Sequence, residues 1–568
     1  MSKRALPWTC LALLLVLFLC YLAWLRPENS FGMYHDDTVY FSSAQALAQG
    51  RGYVLPSIPG PEGTGGAPPR QTKYPVLYPW LLSWIWRWWS SFPANVTAAV
   101  WLTAAFSCCF LVAAFCLLRQ LRGLGDWPAL ACVGLCAFHP FFLTLSGAVL
   151  SDIPFMTFAL AAAVLADRAL AERDRVLLAA AAGMLAGLST VTRSIGVAVV
   201  VGVVAAALYR RAWRQAAVTL LVAAPFVVAV VMTGAAAPQL KGEPGWRQTW
   251  LYYTSYWAFW KLSVPDFGVF WAMVSSNLKD FLVTPAAICL FPPPGGEGSY
   301  AGLLLCVTLT AGIFAGIARR AGGAGGDREW KPIHFVFLFY SPLTLLWNYA
   351  IMNRFLMLFL PLFYAGIWIE GRHLVLMVRE NLRRRHPPSE RVLAGGLGLA
   401  VAVLGMGAVW HYVAGNRPAL RERTQQWAGL LLEQQEAYDW IRRHTNPDDR
   451  LIAIDDVKLY LNTGRQAMWP IAFSTALVYR ADPRDLDFQL DHITDVARHI
   501  GARYWLAADY DYDRTAPQVI ERLSQLKSVL PRVFQSRKKR IEIYDLSCVL
   551  QPVGPECREA PPTLFSLR

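Results

Sequence analysis

Asp36, Asp37, Lys73, Asp152, Arg193 and Arg354 are ionisable residues drawn from distant parts of the chain, each close to a long apolar run. Adjacent carboxylates can take a proton or hold a cation, and arginine and lysine hold anions, arginine through two parallel hydrogen bonds. Charge near a membrane boundary is costly to bury, so a set collected on one side reads as a functional site by default. Each residue also has a plainer role open to it. Asp152, with Ser151 before it and Pro154 after it, stands where a helix N-cap stands. Arg193 and Arg354 stand where arginines snorkel to headgroups. Asp36 and Asp37 would cap a helix over 38–48, and Lys73 with Tyr74 suits a solvated loop. His35 and His139 read as incidental rather than as ligands.

Whether these residues meet depends on the elements that carry them. Of 568 residues 55% are hydrophobic and 16% charged, more apolar side chain than a soluble domain of this size can bury. Runs such as Leu6 to Leu25 and Ala94 to Leu118 reach the roughly 20 residues that cross a bilayer core. The first is longer than a signal-peptide core and lacks a clean cleavage site before Arg26, so it reads as a retained helix. The formal charge of +14 does not indicate nucleic acid. Its excess sits in short clusters beside apolar spans, at Lys3-Arg4, Arg119 and Arg122, Arg210-Arg211 with Arg214, Arg319-Arg320 and Arg383-Arg384-Arg385, which is the positive-inside pattern.

With Lys3-Arg4 placed in the cytoplasm, almost every later basic cluster falls inside if the chain crosses about eleven times. The segment 176–209 decides the count. As one helix it would be about 50 Å long and would put Arg210, Arg211 and Arg214 on the wrong side. Split at Thr192-Arg193-Ser194 into two short spans, it restores the charge rule and leaves Arg193 at an outer turn. The expected fold is therefore a polytopic α-helical membrane protein, with residues 1–414 as the transmembrane domain and outer loops at 26–93 and 236–298. The second loop is dense in Trp and Tyr, which fits an interfacial helix at headgroup level. From Gly415 the composition becomes that of a soluble α/β domain, 415–568, standing outside. It has an amphipathic helix over 434–444 and strands near 450–454 and 504–507. Nine of the 11 cysteines lie in or beside apolar spans; Cys548 and Cys557 lie in a polar region and could pair if it is outside the cytoplasm.

The run Tyr34-His35-Asp36-Asp37-Thr38-Val39-Tyr40, then Ala44 to Gly52, then Lys73-Tyr74-Pro75-Val76-Leu77-Tyr78-Pro79, resembles the first outer loop of the C-type (GT-C) membrane glycosyltransferases. That family includes the protein O-mannosyltransferases and the lipid A aminoarabinose transferase. The likeness continues through Ser151-Asp152-Ile153-Pro154-Phe155, Gly187 to Ser194, and Asn353-Arg354-Phe355 before Pro361, and covers roughly residues 1–370. Relatives often carry Asp-Glu where this chain has Asp-Asp. The resemblance implies an inverting transfer of a sugar from a polyprenyl-phosphate donor to a hydroxyl of a lipid, glycan or protein, at the outer face of a bacterial inner (plasma) membrane. It makes Asp36 the base and Asp37 its neighbour for orientation or for a metal. Lys73, Arg193 and Arg354 would hold the phosphate, and Tyr40, Tyr74 and Asp152 would line the substrate site. No cofactor is firmly implied. A divalent metal is open because adjacent carboxylates offer oxygen ligands, although nearby cations neutralise phosphate without one. The rival classes are a transporter or lipid flippase, for which matching halves with broken helices are lacking, and a membrane scaffold whose outer domain binds a partner.

Overall fold

The structure, a computed structural model, describes residues 5–60, 67–121, 124–171, 175–235, 242–290, 300–321, 330–348, 353–385, 416–480, 482–509, 511 and 517–547. Cys548, Cys557 and the eleventh expected span, about 392–413, lie outside the described residues.

The amino-terminal part is helical: α1 (Leu6–Leu25), α2 (His35–Ala48), α3 (Leu77–Trp88), α4 (Val96–Gln120), α5 (Asp126–Ala137), α6 (Pro140–Ser146), α7 (Asp152–Ala171), α8 (Val176–Thr192) and α9 (Val197–Tyr209). There follow α10 (Trp213–Ala235), α11 (Pro244–Thr254), α12 (Tyr256–Ser263), α13 (Phe267–Leu290), α14 (Tyr300–Ala321), α15 (Pro332–Leu345), α16 (Asn353–Leu356) and α17 (Leu360–Arg385). Among the described residues six helices are long and apolar enough to cross a membrane, or seven if the bent pair α5 and α6 is one span, and α8, α9 and α15 are shorter apolar helices. Leu13, Val16, Leu221, Val231, Met232 and Leu304 are more than half exposed on α1, α10 and α14. Only a lipid solvent makes such faces stable, whereas α4 and α7 are mostly enclosed by protein. The chain is an integral membrane protein.

The segment 176–209 is broken where charge and length require it. α8 ends at Thr192, Arg193 is extended (φ −146°, ψ 132°), and α9 starts after one 3-10 turn. A Cβ on Gly196 would sit 2.5 Å from the backbone of Ser189 and Thr190, so only glycine lets the chain fold back this closely on the end of α8.

The carboxyl-terminal part contains α18 (Asn416–His444), α19 (Asp456–Thr463), α20 (Thr475–Arg480), α21 (Pro483–Asp491), α22 (Asp495–Ile500) and α23 (Pro517–Ser528). Its five strands are β1 (Arg450–Ala453), β2 (Ala467–Met468), β3 (Ala502–Ala508), β4 (Arg532–Gln535) and β5 (Ile541–Asp545), in the order β2-β1-β3-β5-β4. β1 runs parallel to β2 and β3, while β5 is antiparallel to β3 and β4. One face of the sheet buries Leu451, Leu506 and Ile543 against Tyr438 and Ile441 of α18.

The opposite face packs on helices of its own domain, through Leu490, Val496, Ile500 and Leu523, and on the outer loops as well. Ile452, Met468, Trp505 and Tyr544 share one apolar cluster with Val39 of α2, Ile58 of the first outer loop, and Trp246, Trp250 and Tyr253 of α11. Backbone bonds seal the joint, with Ala467 N–H donating to Ser57 O at 3.0 Å. This corrects the expectation for the second outer loop. Trp246, Trp250 and Tyr253 are buried beneath the carboxyl-terminal domain rather than presented to headgroups, and of that aromatic run Trp257 stays exposed. A stretch dense in Trp suits a protein core as well as an interface, so composition alone does not separate the two. The loop's end is also regular: α13 is about 36 Å long at 1.5 Å per residue and packs beside α14.

Candidate active site

Four segments supply the charged residues. Asp36 and Asp37 occupy the first turn of α2, where the helix dipole favours carboxylates. Lys73 and Tyr74 precede α3, Arg193 lies at the break between α8 and α9, and Arg354 lies on the short α16. They converge on a cavity of about 370 Å³ lined by Asp36, Tyr40, Lys73, Tyr74, Arg193 and Arg354. Its remaining wall is largely apolar, formed by Ile195, Val197, Leu343, Trp347 and Phe355.

Asp36 is held from both oxygens. The Tyr74 hydroxyl donates to Oδ1 at 2.6 Å and Arg354 Nη2 donates to Oδ2 at 2.9 Å. Burial alone would raise its pKa, but Arg354, the Tyr74 hydrogen bond, Lys73 and Arg193 more than reverse this and hold it well below the usual carboxylate range. Asp37 behaves oppositely. It does not line the cavity; its Oδ2 accepts from Gly32 N–H at 3.0 Å while Oδ1 is buried without a hydrogen-bond partner. Burial pushes its pKa well up, and the Gly32 N–H and the Lys458 ammonium offset that only in part. Two adjacent carboxylates are thus driven apart, Asp36 ionised in the cavity and Asp37 turned into protein.

Asp152 also stands behind the cavity wall. Its Oδ2 lies 2.7 Å from Arg193 Nη1 and 4.0 Å from Arg354 Nη1, so it is the shared counter-charge of two part-buried arginines rather than a cavity-lining group. Tyr40 reaches Ser151 Oγ at 2.8 Å and sets its ring against Tyr74. Lys73 Nζ lies 3.4 Å from the centre of the Tyr252 ring, and no carboxylate among the described residues is within ion-pair distance of it. Burial lowers its pKa to about 8, with Asp36 and Asp456 opposing the fall.

Both Asp36 oxygens are already occupied, Asp37 faces away, and no group of three or more His, Cys, Asp or Glu among the described residues is placed to hold a metal ion. His139 caps α6 through Nδ1, which accepts from Phe141 N–H, and its Nε2–H donates to Ile288 O at 2.8 Å, a structural role. His35 is not incidental: its Nε2 lies 2.8 Å from Asp456 Oδ1 on α19. Tyr252, Tyr256 and Trp347 line the cavity and carry no motif by which sequence alone would mark them.

No protein-family model matches the chain, and no curated protein sequence matches it. Solved structures do. The oligosaccharyltransferase AglB from Archaeoglobus fulgidus, solved with an inhibitory peptide and a dolichol-phosphate, aligns over 96% of this chain and 74% of its own, with 13% identity and a TM-score of 0.53. The same archaeal enzyme in complex with Zn and sulfate aligns over 94% and 72%, with 14% identity and a TM-score of 0.50. ArnT from Cupriavidus metallidurans bound to undecaprenyl phosphate aligns over 95% and 99%, with 12% identity and a TM-score of 0.48. With its helical membrane part, broken α8–α9 pair and outer loops roofed by an α/β domain, the chain has the GT-C fold.

Proposed function

We propose that this protein is a membrane glycosyltransferase that moves a sugar from a polyprenyl-phosphate donor to an acceptor hydroxyl on a lipid, glycan or protein. The observation that carries the reading is the cavity itself: one ionised carboxylate and three cations facing an apolar wall beside the membrane helices. A phosphate with an isoprenoid tail satisfies both halves, the tail along Ile195, Leu343 and Phe355 and the headgroup among Arg193, Arg354 and Lys73. The like-folded AglB was solved with such a lipid phosphate, a dolichol-phosphate.

The reaction this arrangement supports is a single displacement. The acceptor oxygen bonds to the anomeric carbon as its proton passes to Asp36. The bond from that carbon to the phosphate oxygen breaks, its electron pair leaving on the phosphate. The growing negative charge is met by Arg193, Arg354 and Lys73, which are fixed in advance. One displacement inverts the anomeric centre. In the ligand-free arrangement Asp36 is a weak base because Arg354 holds it. An arriving phosphate competes for that guanidinium, which frees Asp36 and raises its basicity at the moment the acceptor needs it. No step passes through a metal. The basic clusters support an orientation with the amino terminus cytoplasmic and the carboxyl-terminal domain outside, and on this reading the site works at the outer face of a bacterial inner membrane.

The test is incubation of the purified full-length chain with a panel of undecaprenyl- and dolichyl-phosphate sugars and a detergent extract of membranes that supplies acceptor hydroxyls, scoring free polyprenyl phosphate. Release with at least one member is expected. A panel with no release, from protein that binds polyprenyl phosphate, contradicts the reading.

A further inference from the structure

Asp456 is a fully buried carboxylate on the first turn of α19, in the carboxyl-terminal domain. It reaches into the membrane part at two places. Oδ1 lies 2.8 Å from His35 Nε2, and Oδ2 accepts from the Tyr253 hydroxyl at 2.5 Å. His35 is the residue immediately before Asp36 at the start of α2, and Tyr253 follows Tyr252, the ring that carries Lys73. Trp469 closes the same knot. Its ring stacks on Tyr252 with centroids 4.9 Å apart, meets His35 edge-on at 5.1 Å, and its backbone N–H donates to Tyr253 Oη at 3.3 Å.

Two residues further along α19, Lys458 packs against the turn before α2. A Cβ on Gly32 would lie 2.7 Å from its Cδ, and Gly32 adopts φ +81° there. The N–H of that same glycine holds Asp37. α19 therefore presses on the first turn of α2 at Asp456 and on the turn before it at Lys458, and neither residue lines the cavity.

We infer that Asp456 is a positioning residue of the site: from the carboxyl-terminal domain, one buried carboxylate fixes both the turn that aims Asp36 and the aromatic segment that seats Lys73. The domain then supports the site from behind rather than being an appended module, in keeping with a sheet face whose apolar core is completed by the outer loops. Its effect on turnover rests on the reaction proposed above, whereas its effect on the two segments does not.

The experiment compares full-length Asp456→Ala and Asp456→Asn with Asp266→Ala. The last breaks the exposed Arg480–Asp266 pair, which joins the same domain to the start of α13 away from the cavity. Deuterium exchange over residues 34–40 and 250–254 is expected to quicken about tenfold in Asp456→Ala and to stay unchanged in Asp266→Ala. kcat for release of undecaprenyl phosphate is expected to fall about 100-fold in Asp456→Ala, with a smaller change in donor KM, because misaimed groups lose the transition state before they lose the lipid. Asp456→Asn keeps an acceptor for Tyr253 and a partner for His35. It is expected to retain about a tenth of wild-type kcat, and it serves for the comparison if the alanine variant does not fold. Unchanged exchange at both segments in the Asp456 variants overturns the inference, as does undiminished kcat or an equal response from Asp266→Ala. If the wild-type chain turns over no donor, the reaction proposal fails, and the exchange comparison alone decides whether Asp456 fixes these segments.

Discussion

Arg354 Nη2 and Asp36 Oδ2 stand 2.9 Å apart although 318 positions separate them in the chain. A second nitrogen of the same guanidinium faces Asp152 at 4.0 Å, so one arginine lies between the carboxylate that lines the cavity and the one behind it. A lipid phosphate entering the cavity meets a cation already occupied on one side, and the competition for it is the switch on which the proposed reaction turns.

Removing Arg354 should therefore weaken the donor and leave Asp36 without its main restraint. Arg354→Ala is expected to raise the Kd for polyprenyl phosphate by about 30-fold or more, the scale of a truncated buried charge pair. Arg354→Lys should recover little of it, because a single ammonium does not reproduce the planar fork. Titration of undecaprenyl phosphate into the purified variants measures both. Wild-type affinity in Arg354→Ala would remove this residue from the phosphate site.

Asp36→Asn should separate binding from chemistry. The amide keeps the shape and cancels the charge that occupies Arg354, so polyprenyl phosphate is expected to bind at least as tightly as to wild type. Binding weakened more than about threefold, outside the scatter of a neutral surface change, would mean that Asp36 helps to hold the lipid rather than competing with it.

Lys73 sets a pH dependence. Its pKa in the free protein is lowered to about 8, so it is charged below that pH and neutral above it. The donor phosphodiester stays anionic throughout. Donor affinity is accordingly expected to be full below pH 7 and to decline as pH rises through about 8. In Lys73→Arg the decline should vanish, because arginine stays protonated. A wild-type binding profile flat from pH 6 to about 10, spanning the lysine range, would show that Lys73 does not meet the phosphate.

Asp152 should behave as a structural counter-charge. Asp152→Asn leaves Arg193 and Arg354 part-buried together with one carboxylate fewer, a loss on the order of 3 kcal/mol in unfolding free energy. Denaturation of the detergent-solubilised variant reports this directly. Unaltered stability with a large rise in donor KM would instead make Asp152 a substrate contact.

The break at Arg193 is legible in the sequence because two independent constraints demand it, the length of 176–209 and the sidedness of Arg210 and Arg211. The cavity's charged residues are legible for a related reason, since each is a charge standing beside an apolar run. What lies behind the cavity is not. Asp152 carries the same local pattern whether it faces substrate or Arg193, and the choice depends on how α7 rotates against α8. Asp37 is one residue from Asp36, and on a helix this turns it about 100° away, so adjacency in sequence becomes divergence in space. His35 and Asp456 are 421 positions apart with no motif linking them. The aromatic run of α11 reads equally well as interface or core until a sheet face is placed against it.

The most direct measurement is single-turnover release of polyprenyl phosphate by wild type and Asp36→Asn, both saturated with a donor and an acceptor that wild type uses. Loss of a positioned general base predicts a fall of about 10²- to 10⁴-fold for Asp36→Asn with the donor still bound. Equal rates from the two proteins would contradict the account.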